Sequence, residues 1–289
     1  MEEQKDLPFP YEFRELDPEE DKLVKANLGS FPTNFVKVGP KGYMVYRPYV
    51  KDAANIYNLP LRANDVFVAT YQRSGTTMTQ ELVWLIENDL NYEAAKVLLA
   101  QRFAYLDGFM IYDPEKKEQY ESILPNPEKL DIEKYLELLE YYSREGSLLL
   151  ASIPPTERRF IKTHLPLSLM PPSMLDTVKM VYIARDPRDV ADLRGCIKRI
   201  ADFFAKKLSE EQIQGLCDHL NFEKFKNNGA VNMEDFREIG ILADGEYFIR
   251  KGQAGGWRDY FDEEMTKQAD EWIKDNLKNS DLRFPHMEL

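Results

Sequence analysis

One segment constrains this chain more than any other: Val66-Phe67-Val68-Ala69-Thr70-Tyr71-Gln72-Arg73-Ser74-Gly75-Thr76-Thr77-Met78. Val66–Ala69 is an unbroken apolar run, rich in β-branched and aromatic residues, as expected of a strand buried on both faces of a parallel sheet. A cation, a glycine and three hydroxyls follow within five residues, and Thr77–Asn88 then reads as a helix with Leu82, Leu85 and Ile86 on one face. A strand feeding a loop that opens a helix makes an anion site, because the first-turn N–H groups lack intrahelical partners. A phosphate or sulfate ester is the expected ligand. The common nucleotide loop needs two glycines and a terminal Lys-Ser/Thr pair, and this loop has one glycine and no lysine. Taken alone it is equally an ordinary strand–helix connection, capped by Ser74 or Thr76.

Two more strand-like runs, Arg159–Thr163 and Val178–Ala184, share the chain with helical patterns at Thr77–Asn88, Glu93–Gln101 and Ile132–Tyr142. Strands alternating with helices predict an α/β fold, a parallel β-sheet flanked by helices. Ligands in such sheets bind beyond the carboxyl ends of the strands. All three runs end there in polar chemistry: Gln72-Arg73-Ser74, Lys162-Thr163-His164, and Arg185-Asp186-Pro187-Arg188-Asp189. Further helices are expected at Cys196–Lys207, Glu210–Asn221 and Glu263–Leu277, the last anchored by Trp272 and Ile273. Residues 1–35 read as an N-terminal arm and 36–289 as a single domain.

Composition narrows the ligand further. The 289 residues carry a net charge of -12, which argues against nucleic acid and anionic membrane surfaces as partners. An anionic ligand therefore needs a local basic pocket. Two cysteines, Cys196 and Cys217, do not make a disulfide framework, and three histidines suggest no metal constellation. The start of the chain shows neither a basic n-region nor an apolar h-region, and no run approaches membrane-spanning length, so a cytoplasmic location is expected.

Four blocks in this order resemble the cytosolic sulfotransferase family. Thr70–Thr77 resembles the loop binding the 5′-phosphosulfate of 3′-phosphoadenosine 5′-phosphosulfate (PAPS). Phe160-Ile161-Lys162-Thr163-His164-Leu165-Pro166 is similar to the segment with the catalytic histidine. Tyr182–Val190 resembles the 3′-phosphate signature, and Arg250-Lys251-Gly252-Gln253-Ala254-Gly255-Gly256-Trp257 the loop closing over that phosphate. The blocks span residues 60–275 and are most similar to the insect branch, which includes a retinol dehydratase. The resemblance implies a P-loop-like sulfotransferase fold. It implies Arg73, Ser74, Gly75, Thr76, Thr77, Met78, Arg185, Arg250, Lys251 and Gly252 as donor-binding residues. Catalysis would fall to His164 as base, with Lys162 and Arg73 on the transferring group. No metal is implied. The acceptor would be a small lipophilic alcohol or phenol, with Phe103, Tyr105, Phe109 and Met110 as candidate lining.

Three departures from the family pattern stand out. Arg73 occupies a position usually held by lysine; it keeps the charge but does not give up a proton. Met78 replaces a tryptophan beneath the adenine. After Val190-Ala191 the chain passes directly to Asp192-Leu193-Arg194-Gly195-Cys196, so one core strand and the serine and tyrosine contacts to the donor lack counterparts. The family's dimerisation motif is not readable at Asp259–Met265, so no oligomeric state is inferred. Sulfuryl transfer to a hydroxyl is the leading expectation. The alternatives are an impaired relic that binds nucleotide weakly or acts through partners, and elimination of the retinol dehydratase kind. A P-loop kinase is disfavoured by the absent Walker lysine.

Overall fold

Val66–Thr70 is the penultimate strand of a four-stranded, all-parallel sheet in this computed structural model, which describes residues 7–28, 34–184, 192–243, 248–249 and 261–278. In chain order, β1 (Phe13–Glu15), β2 (Phe35–Val38) and β3 (Tyr43–Tyr46) form a separate antiparallel sheet. The parallel sheet comprises β4 (Val66–Thr70), β5 (Ala104–Tyr105), β6 (Phe160–Thr163) and β7 (Lys179–Ile183), ordered β5-β6-β4-β7. The helices are α1 (Pro18–Leu28), α2 (Tyr49–Tyr57), α3 (Thr76–Glu87), α4 (Leu99–Arg102), α5 (Lys117–Ser122), α6 (Ile132–Ser143) and α7 (Gly146–Ser152). They continue with α8 (Met174–Thr177), α9 (Leu193–Phe203), α10 (Glu210–His219), α11 (Phe222–Phe225), α12 (Glu234–Ile239) and α13 (Glu263–Leu277).

Both faces of the parallel sheet are covered, as the continuous apolar run of β4 requires. Val66 and Val68 point into a core shared with α3, α9 and α10, while Phe67 points into a second core with β2, β3, α2 and Leu150 of α7. The expected strands and most of the helices are present with small boundary shifts. Glu93–Gln101 is instead two pieces, a 3-10 turn at Ala94–Lys96 and then α4, with Val97 extended between them. Ile273 and Leu277 anchor α13, whereas Trp272 is exposed. The segment expected to be an arm supplies β1, whose Phe13 pairs with Val38.

Several buried polar contacts fix the layers. At the amino ends of β4 and β6, Arg159 forks onto Asp65: its Nε donates at 2.7 Å, its Nη2 pairs with the other carboxylate oxygen, and Nη2 also donates to the Pro60 carbonyl. Buried Asp52 of α2 accepts from the Ser147 amide at 2.9 Å and from its hydroxyl, which holds the start of α7. The neighbouring Gly146 allows a very close approach, since a Cβ there would lie 1.7 Å from the Leu106 carbonyl oxygen. That contact presses α7 against the turn leaving β5. Among the described residues β7 ends the sheet, with Tyr182 exposed.

Candidate active site

The carboxyl ends of β4 and β6 lie side by side, paired in register from Val66 with Phe160 to Ala69 with Thr163. Residues 94 apart in sequence therefore meet. The loop after β4 turns sharply: Arg73 has φ 66° and Gly75 φ 101°, both left-handed. A Cβ at Gly75 would meet nothing within 4 Å, so glycine is needed there for its backbone freedom and not for space. Gly75 is the N-cap of α3 and no side chain caps the helix, so neither Ser74 nor Thr76 plays the capping role. The first-turn amides of a 12-residue helix are left pointing out of its end.

The Thr76 hydroxyl lies 2.6 Å from that of Thr70, whose hydroxyl is 3.2 Å from His164 Nδ1. His164 Nδ1 is also 2.9 Å from the Thr70 carbonyl oxygen, which only accepts. Nδ1 therefore carries the proton in neutral imidazole, and Nε2 keeps its lone pair. Burial lowers the affinity of His164 for a proton, Asp107 opposes that shift and Lys162 reinforces it. Lys162, two residues earlier, rests its ammonium 3.9 Å from the centre of the Tyr105 ring, and the His164 ring meets the same tyrosine edge-on at 5.7 Å. Burial pulls the Lys162 ammonium down to about 8, partly offset by Asp107. The Tyr105 hydroxyl is pushed well up by burial. The Arg73 guanidinium lies 5.4 Å from the centre of the Phe248 ring.

A solvent-open cleft adjoins Lys162 and Tyr105 of this cluster and is lined as well by Thr77, Phe103, Tyr142 and Phe248 among others. Phe103 and Tyr105 are among its lining residues. Phe109 and Met110 do not line it and are buried in the core beneath β2 and α2. The arrangement combines an open helix end, a cation, an imidazole with a free lone pair and an aromatic-walled cleft, which suits transfer of an anionic group to a bound hydroxyl.

The sulfotransferase domain profile matches residues 63–192 and again 190–281. The chain belongs to the sulfotransferase family. It is a transferase by that membership, and two solved structures of retinol dehydratase resemble it throughout. One, with androsterone and the inactive cofactor PAP, is 66% identical with a TM-score of 0.92, covering 97% of this chain and all of that one. The other, with retinol and PAP, has the same identity and TM-score over 96% of this chain and all of that one. Luciferin sulfotransferase of Photinus pyralis is 28% identical, covering 88% of this chain and 82% of the relative. That alignment runs over 323 residues, longer than the 289 of this chain, so it carries gaps on this chain's side. A mouse sulfotransferase solved with PAP shares the fold at 16% identity and a TM-score of 0.53, over 83% of this chain and 94% of that one.

Of the residues expected at the site, Arg73, Ser74, Gly75, Thr76, Thr77 and Met78 lie on the loop and the first turn of α3, with Lys162 and His164 beside them. Arg185, Arg250, Lys251 and Gly252 lie outside the described residues. Sequence reasoning missed Thr70 as partner of His164, and it missed Asp107. β5 has only two residues and Asp107 follows it in a turn, so no periodicity marks that carboxylate. Among the described residues no cluster of His, Cys, Asp and Glu has the makings of a metal site, and no helix is long and apolar enough to cross a membrane.

Proposed function

We propose that this sulfotransferase-family chain moves a sulfuryl group from PAPS to the hydroxyl of a small lipophilic acceptor in the cytoplasm. The observation that carries the reading is the pairing of the uncapped α3 end with the free Nε2 of His164 across adjacent strand ends. When bound, PAPS supplies the activated sulfuryl group. Amides at Gly75–Thr77 and the Thr77 hydroxyl suit its 5′-phosphate. Thr76 contributes there if Thr70 donates in their shared hydrogen bond, leaving the Thr76 proton free. Arg73 neutralises charge on the departing phosphate without donating a proton. Lys162 supplies a cation to the transferring oxygens. His164 Nε2 takes the acceptor proton, a role worth roughly 10²–10⁴ in rate. Arg185, Arg250 and Lys251 serve the 3′-phosphate in this reading.

The relatives' ligands support the acceptor class. Androsterone and retinol are lipophilic alcohols, and the proteins solved with them are 66% identical to this chain. We also infer that an internal segment found in relatives is absent after Ala191. Support comes from the family match, which breaks into two stretches at residues 190–192, and from an alignment longer than the chain. β7 ending the described sheet is consistent with a missing neighbour strand. The donor cradle is then complete, while part of the 3′-phosphate clamp is gone.

Calorimetry with adenosine 3′,5′-bisphosphate tests donor binding in the wild type, Arg73→Ala and Arg185→Ala. Equal, weak heats in all three refute it. Turnover with PAPS and retinol or androsterone then tests the chemistry: a sulfated product supports the proposal, and a dehydrated one redirects it to elimination.

A further inference from the structure

The residues assigned to sulfuryl transfer lean on a carboxylate that the chemistry above does not use. Asp107 lies in the turn after β5 and is buried. Both of its oxygens accept from the main-chain N–H of His164, at 3.0 and 3.1 Å. The Leu106 amide, one residue earlier, donates to the Lys162 carbonyl at 3.0 Å. Gly146 closes on Leu106 from the other side, so the turn is clamped between α7 and β6. Asp107 itself opens the following 3-10 turn, its carbonyl accepting from the Met110 amide. Among the described residues no cation forms an ion pair with it.

We propose that Asp107 is a positioning residue for the reaction, anchoring the His164 main chain with both oxygens and placing a buried negative charge beside it. The proposal rests on the sulfuryl-transfer reading for its catalytic meaning. His164 is faced by Asp107 and the Tyr105 ring from the β5 side, by Lys162 on its own strand, and by the Thr70 carbonyl and hydroxyl from β4. Lys162 is faced by Tyr105 and Asp107. Behind them, Tyr46, Tyr141 and Tyr142 act on Tyr105, and Asp107 acts on Tyr49 of α2. Burial favours the neutral forms of both His164 and Lys162, and Asp107 opposes this in each.

Asp107→Asn keeps the shape and one acceptor oxygen but removes the charge. His164 titration is followed by NMR in the wild type and this variant, with only three histidines to assign. The His164 midpoint falls in Asp107→Asn, and both limbs of the pH–rate profile move to lower pH. A midpoint and profile unchanged from the wild type overturn the proposal. Asp107→Ala also loses the anchor, and kcat drops about 10²-fold with donor KM held, because small displacements of a reacting group carry such losses. Asn restores kcat near its own optimum. Should the wild type transfer no sulfuryl group, the functional reading fails, and the NMR midpoint still decides whether Asp107 acts on His164. A thermal melt identifies any variant that fails to fold, and for Asp107→Ala the Asn comparison then stands in its place.

Discussion

Replacing Gly75 by alanine tests the backbone of the loop after β4 with the smallest possible side-chain change. The residue has φ 101°, and the added methyl meets nothing within 4 Å. In the free protein there is no clash to relieve, so the penalty there is conformational. Holding an L-residue in left-handed backbone costs about 1–2 kcal/mol. That penalty divides between two observables. If the loop keeps its geometry in the free protein, folding loses it, and Tm falls roughly 2–4 °C per kcal/mol in a domain approaching this size. If the loop relaxes when empty, the ligand must restore it. Binding of adenosine 3′,5′-bisphosphate then weakens about 5- to 30-fold, at 1.4 kcal/mol per tenfold. Calorimetry and thermal melting on the same samples add the two parts. A total near zero, with both Kd and Tm unchanged, refutes the argument that Gly75 is required by its backbone angle. A loss of folding stability far above 2 kcal/mol refutes the claim that open space surrounds it.

Other perturbations separate the remaining roles. His164→Ala is expected to lower kcat by roughly 10²–10⁴ while donor binding stays the same, read by steady-state kinetics beside calorimetry; an equal loss in binding contradicts the base assignment. Activity needs Lys162 charged, so it falls as pH rises through about 8. Lys162→Arg keeps the cation throughout and removes that alkaline limb from the pH–rate profile. Opposite the site, Asp65→Asn leaves buried Arg159 unpaired, and urea unfolding should report a loss of about 3–5 kcal/mol. Replacing both partners with apolar residues recovers much of it.

The elements that carry the candidate site were readable because their signals are local. β4, β6 and β7 announce themselves as apolar runs, and each is followed directly by its polar cluster. The exact shape of the glycine turn was less readable. Ser74 and Thr76 are both good capping types, yet the left-handed Gly75 takes the N-cap and Thr76 turns inward to Thr70. Trp272 misled for a different reason: its helix face has Ile273 and Leu277 to bury, and one helical stripe does not also turn Trp272 inward. Phe109 and Met110 are apolar in sequence, which says that they are covered but not by what.

By itself, then, the sequence determined the parallel α/β frame and marked the loop after β4, Lys162 and His164 as candidates, since each is written in consecutive residues. Only the tertiary structure decided the state of the imidazole. Its proton sits on Nδ1 because β6 lies beside β4 and brings the Thr70 carbonyl to 2.9 Å. Asp107 reaches His164 because β5 lies on the other side of β6, across 57 residues of chain. Strand neighbours are set by how the whole sheet packs, and a buried hydrogen bond between such neighbours leaves no local trace in either segment.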